Sequence, residues 1–319
     1  MTFLVLVTDK VAESGLAILN QDDRFSVVYQ HDSNSEAFSQ ALNNANALIV
    51  RSATTVDAVM LDVGPNLRVV GRAGVGVDNI DIAAATERGV AVVNAPAGNT
   101  IAAAEMTMAL ILATVRQVAA ADASIRAGRW DRAFFKGSEL RGRRLGLIGA
   151  GRIGAEVAIR CQAFGMEVVI YDPYLAPKRA SEIGSRLTDL DEVIETADII
   201  SCHVPLTEET RGMIDADAIS RMKPGTFLVN ASRGGVVNES DLAGALASGH
   251  LAGAGLDVYD EEPLSPSSSL LSAPNLTLTP HLGASTHEAQ NHVAVEVAEY
   301  VSRVLVDGDL SMALNRADL

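Results

Sequence analysis

Aromatic residues are scarce, at 4% of 319 positions with a single tryptophan. The core must therefore be built from Val, Leu, Ile and Ala, a palette that suits parallel sheets covered by helices. Cysteine is nearly absent. Cys161 and Cys202 lie in no CxxC motif and no zinc-like cluster. They read as small buried hydrophobes in a reducing cytoplasm, and no metal site is expected. Positive charge is short too: 25 Lys and Arg face 40 Asp and Glu, a net charge of −15. So acidic a surface repels nucleic acid and anionic lipid. It also repels an anionic small molecule, which would have to be met by a local cluster of arginines. Uncharged apolar runs stop short of the ~18 residues of a membrane span; even the stretch 101–115 carries Glu105. The N-terminal run Phe3–Val7 is too short for a signal peptide and lacks its basic start. The expectation is a cytoplasmic protein with neither a membrane nor a nucleic-acid partner.

What remains is ordinary globular composition, 48% hydrophobic and 20% charged, on a chain long enough for about two domains. Short β-branched runs alternate with Ala-rich helical stretches. The first series of strands is expected at Phe3–Val7, Phe25–Tyr29, Ala47–Val50, Arg68–Gly71 and Ala91–Asn94. The second is expected at Arg144–Ile148, Glu167–Tyr171, Asp198–Cys202, Thr226–Asn230, Gly253–Leu256 and Leu276–Thr279. Two consecutive βαβ series imply an α/β protein of two doubly wound parallel-sheet units. Between them Ile101–Arg126, free of Gly and Pro, reads as one long helix. A last helix is expected over about His287–Val306. The stretch 261–274 (EEPLSPSSSLLSAP) reads as a loop.

The sharpest local signal is Gly149-Ala150-Gly151-Arg152-Ile153-Gly154, between an apolar strand and a helix expected over Ala155–Phe164. In this pattern Gly149 permits a tight turn. Gly151 lets backbone approach a pyrophosphate, and Gly154 lets the helix pack closely on the strand. The helix N-terminus then offers its N–H groups to phosphate. The following strand ends in Asp172, about 20 residues on, where a carboxylate accepts bonds from ribose hydroxyls and repels a 2′-phosphate. The cofactor this favours is NAD over NADP. Gly71-Arg72-Ala73-Gly74-Val75-Gly76 is a decoy without the third glycine. It reads as a tight loop with exposed amides able to hold a carboxylate.

Three segments place polar residues just past strands of the second series: Asn230-Ala231-Ser232-Arg233, Asp257-Val258-Tyr259-Asp260-Glu261-Glu262 and Thr279-Pro280-His281. Ligand crevices of open α/β sheets lie at such strand ends. Oxidising an alcohol by hydride transfer needs a base for the hydroxyl proton, and His is suited to it. A carboxylate orients the imidazole, and an arginine grips the substrate carboxylate bidentately. Taken singly, His281 also fits a structural hydrogen-bonder, Arg233 a solvated charge and Glu262 an acidic loop.

Together these residues resemble the D-isomer-specific 2-hydroxyacid dehydrogenases, most closely the members acting on 3-phosphoglycerate. The resemblance runs over nearly the whole chain. It is carried by Val50-Arg51-Ser52-Ala53-Thr54, by the stretch 70–79 (VGRAGVGVDN), by Gly98-Asn99 and by Ala104-Glu105. It continues through GRIG at 151–154, Tyr171-Asp172-Pro173, ASRGG at 231–235 and the stretch 280–286 (PHLGAST). It implies an NAD-binding Rossmann domain (99–286) inserted into a discontinuous flavodoxin-like substrate domain (1–98 and 287–319). It implies Arg233, Glu262 and His281 as the catalytic set, with Glu262 paired to His281 as acid/base. Substrate contacts are implied at Arg51, Ser52, the Val75 and Gly76 amides, Asn99 and Arg132. Cofactor contacts are implied at Gly149, Gly151, Gly154, at Arg152 and Ile153 by the pyrophosphate, and at Asp172 by the adenosine ribose. Asp257 is implied near the nicotinamide amide, with Val204, Pro205, Ala231, Ser232, Gly283 and Ala284 lining the cofactor. The family also implies a homodimer or homotetramer.

The expected substrate is a small 2-hydroxy or 2-keto acid. Arg51 and Arg132 occupy positions that fit a phosphate, though each also fits a surface charge. Glyoxylate or hydroxypyruvate reduction is the alternative. The chain ends at Leu319, so the expectation is a short form without a regulatory domain. Formate oxidation is disfavoured because that chemistry uses Gln where this chain has Glu262. An NAD-sensing binding module is the reading from another class; partner binding that depends on NADH, with negligible turnover, distinguishes it.

Overall fold

The computed structural model describes residues 2–319. It divides into two compact units, one of residues up to Asn99 together with Ala284–Leu319, the other of Thr100–Gly283.

The first unit alternates β1 (Phe3–Val7), α1 (Glu13–Asn20), β2 (Phe25–Tyr29), α2 (Glu36–Asn44), β3 (Ala47–Val50), α3 (Ala58–Val63), β4 (Val69–Arg72), α4 (Ile82–Glu87) and β5 (Ala91–Asn94). The five strands form one sheet in the order β2-β1-β3-β4-β5, parallel throughout. This is the flavodoxin-like order. β3 and β5 are buried on both faces, which is why they read as continuous apolar runs rather than alternating ones. Helix starts are fixed locally: Ser35, Asp57 and Asp81 each accept the amide three residues on, worth about 1 kcal/mol per cap. The helix His287–Asp307 completes the unit. It buries Val293, Val297, Val301 and Val304 among the valines and alanines of the strands, a stripe at helical spacing.

The second unit begins with α5 (Thr100–Val115) and α6 (Val118–Arg126). It continues through β6 (Arg144–Ile148), α7 (Arg152–Ala163), β7 (Glu167–Tyr171), α8 (Pro177–Glu182), β8 (Arg186–Leu187), α9 (Leu190–Thr196), β9 (Ile199–Cys202), α10 (Ala216–Arg221), β10 (Thr226–Asn230), α11 (Glu239–Ser248), β11 (Leu251–Leu256) and β12 (Leu276–Leu278). The helix 287–307 is α12. The seven strands run β12-β11-β10-β9-β6-β7-β8, again all parallel. Order reverses at β6/β9, as in dinucleotide-binding doubly wound sheets. Two apolar clusters, one including Ile200, Leu228 and Leu242 and the other Leu147, Ile170 and Ile111, sandwich the sheet.

The single helix expected over 101–126 is two. Gln117 takes a left-handed conformation at φ 53°, and α5 and α6 bend by 64°. The Ser138 amide donates to the Val115 carbonyl at 2.9 Å, taking the acceptor that a continuing helix would use. This is a tertiary contact invisible to a local composition of good helix formers. Other departures are small. β4 runs one residue later than expected, β11 starts at Leu251, and the two-residue β8 is too short to leave a pattern. Helix α7 starts at Arg152, three residues earlier than expected. Among the described residues no single helix is long and apolar enough to cross a membrane.

Candidate active site

The C-terminal edge of the seven-stranded sheet carries two adjoining constructions. The first follows β6. Gly149 sits at φ +90°, and a Cβ there would lie 2.5 Å from the His203 carbonyl oxygen. A Cβ on Gly154 would lie 2.4 Å from the Gly149 carbonyl oxygen. Both positions demand glycine. Around Gly151 the space is open instead. Gly151 is the N-cap of α7 and supplies no side-chain cap, so the first amides of α7 are left for an external acceptor. Asp172, at the end of β7, accepts the Ala150 amide through Oδ2 and the Tyr174 amide through Oδ1, both at 2.9 Å. The carboxylate therefore holds the glycine loop and keeps lone pairs for hydroxyls. An open glycine at an uncapped helix start, beside a tethered carboxylate, fits the pyrophosphate and ribose of a dinucleotide. Arg152 is exposed and Ile153 half-buried on the first turn of α7. Val204 packs beside Gly149, and Pro205 is exposed after it.

The second construction joins the loops after β10, β11 and β12. Asn230 is buried. Its Oδ1 accepts both the amide and the hydroxyl of Ser232, and its Nδ2 donates to the Arg233 carbonyl at 2.8 Å. This ties Ala231–Arg233 into a compact turn, where the Arg233 Nη1 donates to the Ser232 carbonyl at 2.6 Å. A Cβ at Gly234 would fall 1.7 Å from the Tyr259 carbonyl oxygen, so glycine alone lets this turn meet the next loop. There the buried Tyr259 donates its hydroxyl to the Thr279 carbonyl at 2.8 Å, reaching the third loop. Burial pushes that hydroxyl up to about 12, so it stays a neutral donor. Glu239, whose carboxyl burial raises, accepts the Asp260 amide at 2.7 Å.

Glu262 and His281 meet on this frame. The His281 Nδ1 lies 2.7 Å from Glu262 Oε2, while Glu262 Oε1 accepts the Tyr259 amide at 3.1 Å. Both side chains keep solvent access, at 50% and 37% exposure for His281 and Glu262. A carboxylate is an acceptor only, so Nδ1 donates to it, and in the neutral ring Nε2 is the nitrogen that presents a lone pair. His281 holds a left-handed backbone at φ 53°, a conformation uncommon for residues other than glycine. The clamp that maintains it is Asp257. This fully buried carboxylate accepts Thr279 Oγ1 at 2.6 Å and the Leu282 amide at 2.8 Å through Oδ1, and the Gly283 amide at 2.8 Å through Oδ2. Asp257 thus brackets His281 from both sides.

Residues 108–283 match the family described as D-isomer specific 2-hydroxyacid dehydrogenase, NAD binding domain. The chain is 48% identical over 312 residues, 98% of its length, to D-3-phosphoglycerate dehydrogenase of Mycobacterium leprae, of which it covers 58%. The crystal structure of the TT0316 protein from Thermus thermophilus superposes with a TM-score of 0.89 at 35% identity, covering 98% of this chain and all of that one. D-lactate dehydrogenase from Aquifex aeolicus, complexed with NAD and lactic acid, gives 0.84 at 30% identity, covering 97% of each chain. The chain belongs to the D-isomer-specific 2-hydroxyacid dehydrogenases. It spans somewhat over half the length of the curated relatives it matches.

In this 2-hydroxyacid dehydrogenase chain the structure gathers Arg233, Glu262, His281, Asp257, Gly283, Ala231 and Ser232 on one frame, and Gly149–Gly154 with Asp172 on the other. Arg51, Ser52, Val75, Gly76, Asn99 and Ala284 belong to the first unit. Asn99 Oδ1 is buried with no hydrogen-bond partner among the described residues. Arg132 is exposed on a 3-10 turn, Arg132–Phe134, of the second unit, so the two arginines expected at a phosphate are in different units. The builders of the frame, Asn230, Tyr259, Thr279 and Glu239, escape a reading of the sequence for chemistry. The available signal is position, since Asn230 closes β10 and Thr279 follows β12. Among the described residues no three His, Cys, Asp or Glu are grouped to hold a metal ion.

Proposed function

We propose that the chain is an NAD-dependent oxidoreductase acting at C2 of a D-2-hydroxy acid, and that 3-phosphoglycerate, oxidised to 3-phosphohydroxypyruvate, is its substrate. The observation that carries this reading is the His281–Glu262 pair, with Nε2 free to take a proton, on the same sheet edge as the glycine loop. Bound NAD would supply the hydride acceptor. Gly149, Gly151, Arg152, Ile153 and Gly154 would hold its pyrophosphate and Asp172 its ribose, with Val204, Pro205, Ala231, Ser232, Gly283 and Ala284 alongside. As the C2–H bond gives up its electron pair, the C2 hydroxyl proton passes to His281 Nε2. Glu262 stabilises the resulting imidazolium through Nδ1. Arg233 holds the substrate carboxylate and polarises the C2 oxygen. Arg51, Ser52, the Val75 and Gly76 amides and Asn99 on the first unit, and Arg132 on the second, are the remaining proposed substrate contacts.

The name of the Mycobacterium leprae relative supports the phosphorylated substrate. A homodimer or homotetramer belongs to the same reading, supported by Val118, Ile125, Trp130 and Phe134, which stand exposed on α6 and just beyond it. Cytoplasmic residence belongs to it too, supported by two cysteines that are free and buried.

The test is NADH absorbance with 3-phosphoglycerate, D-glycerate, D-lactate, glyoxylate and hydroxypyruvate, for the wild type and for His281→Ala. Turnover of 3-phosphoglycerate is expected, with a loss of about 10²–10⁴-fold in the variant at unchanged NADH affinity. Fast glyoxylate reduction with an inert 3-phosphoglycerate would reject the substrate, and wild-type turnover in His281→Ala would reject the mechanism.

A further inference from the structure

The five-stranded sheet has a polar cluster of its own at its C-terminal edge. In the order β2-β1-β3-β4-β5 the topological switch point falls between β1 and β3, where open sheets of this order bind ligands. Thr8 and Asp9 follow β1, the loop Arg51–Thr54 follows β3, and Asn79 closes the loop after β4.

Asp9 is buried and collects the donors of the 51–54 loop. Its Oδ2 accepts the Arg51 amide at 2.5 Å and the Thr54 amide at 3.3 Å, and its Oδ1 accepts Thr54 Oγ1 at 2.7 Å. Asn79 collects the acceptors. Its Nδ2 donates to the Arg51 carbonyl at 2.7 Å and to the Thr54 carbonyl at 2.5 Å. The same two loop residues are thus gripped by an acceptor-only carboxylate on one side and by amide donors on the other. Ser52 and Ala53 stand exposed between these grips. The Asp9 carboxylate is spent on backbone and hydroxyl donors rather than on the Arg51 guanidinium, whose Nη1 donates to the Lys10 carbonyl at 3.1 Å. In a chain of net charge −15, this arrangement reserves a cation for an anionic ligand.

We infer that Asp9 and Asn79 are positioning residues that hold Arg51–Thr54 as an anion-binding loop and so set the affinity for the charged end of the substrate. This rests on the hydroxyacid activity proposed above. Neither side chain touches substrate; each acts through the loop. The two are not interchangeable. Asp9→Asn turns an NH2 group toward amide donors, and Asn79→Asp turns oxygens toward carbonyls.

The experiment takes the full chain and whichever 2-hydroxy acid the wild type turns over best. In Asp9→Asn and Asn79→Asp, KM for that acid is expected to rise roughly tenfold to a hundredfold, with binding lost equally from the ground state and the transition state. The value of kcat and the NADH affinity are expected to stay near wild type. Amide hydrogen exchange is expected to quicken at 51–55 and not elsewhere. A folded variant with KM within about twofold of wild type overturns the inference, since a positioning role requires loss of substrate binding. Thr54→Val removes one hydroxyl donor from the same carboxylate and serves if the others do not fold; a raised KM supports the clamp, and an unchanged one overturns it. A wild type inert toward every 2-hydroxy acid strikes the proposed activity instead. Exchange then decides the clamp: quickening confined to the loop upholds it, and quickening spread over the unit defeats it.

Discussion

At the scale of single residues, the candidate site depends on carboxylates that face backbone rather than arginine. Asp257 holds the His281 turn through two amides and one hydroxyl, and Asp172 holds the glycine loop through one amide. Charge-assisted bonds of this kind contribute about 1.5–3 kcal/mol each, enough to keep His281 at its positive φ. A half-buried base behaves differently. The His203 Nε2 lies 2.9 Å from Ser201 Oγ, and burial pushes its imidazole down from 6.5 to about 4. Between those values the unfolded chain holds one more proton than the folded one. Stability from this group is therefore complete above pH 6.5 and is lost as pH falls toward 4. The loss amounts to about 3 kcal/mol. Urea melts at pH 7 and pH 4.5 are expected to show it, and His203→Asn is expected to flatten the dependence by that amount. An equal pH dependence in the variant would show that other groups account for it.

At the scale of elements, one close constraint is the seat of α7 on β6. A Cβ at Gly154 lies 2.4 Å from the Gly149 carbonyl oxygen, and neither backbone can yield without moving the turn. Overpacking costs about 1–3 kcal/mol. Spent on the loop that would hold the pyrophosphate, it corresponds to roughly tenfold to a hundredfold in affinity. Gly154→Ala is expected to weaken NADH binding by that factor in a fluorescence titration while circular dichroism stays native. Undiminished affinity would show that α7 can shift without cost. The bend between α5 and α6 belongs to this scale as well. Nothing in the run Ile101–Arg126 marks a break, because the agent is the Ser138 amide, more than twenty residues beyond Val115.

At the scale of the whole molecule, the unit Thr100–Gly283 is one continuous stretch with its own sheet and two apolar clusters, whereas the other unit needs both chain ends. A continuous domain with its own core is able to fold alone. The fragment 100–283 is expected to fold, to bind NADH, and to turn over no 2-hydroxy acid, because Arg51 and the 74–76 loop are missing. A fragment that is unfolded by circular dichroism, or that oxidises 3-phosphoglycerate, would contradict this division of labour. The alternating strands and helices of both units were readable in advance, since burial on two faces leaves continuous Val, Ile and Leu runs. The edge strand β8 was not, because two residues carry no periodicity.

By itself the chain's order of residues determined the α/β class, the placement of most strands, the glycine loop with its downstream Asp172, and the resemblance to the family. These are local or nearly local properties, set by periodicity and by the conformations glycine alone adopts freely. Only the tertiary structure decided what each strand-end side chain grips. Glu262 meets His281 across 19 residues, Asp9 meets Arg51 across 42, and Asp257 is committed to the Gly283 turn. In a parallel sheet, neighbouring strand ends are separated by a whole crossover connection along the chain, so their hydrogen-bond partners leave no trace in spacing and are chosen by the packing of the sheet.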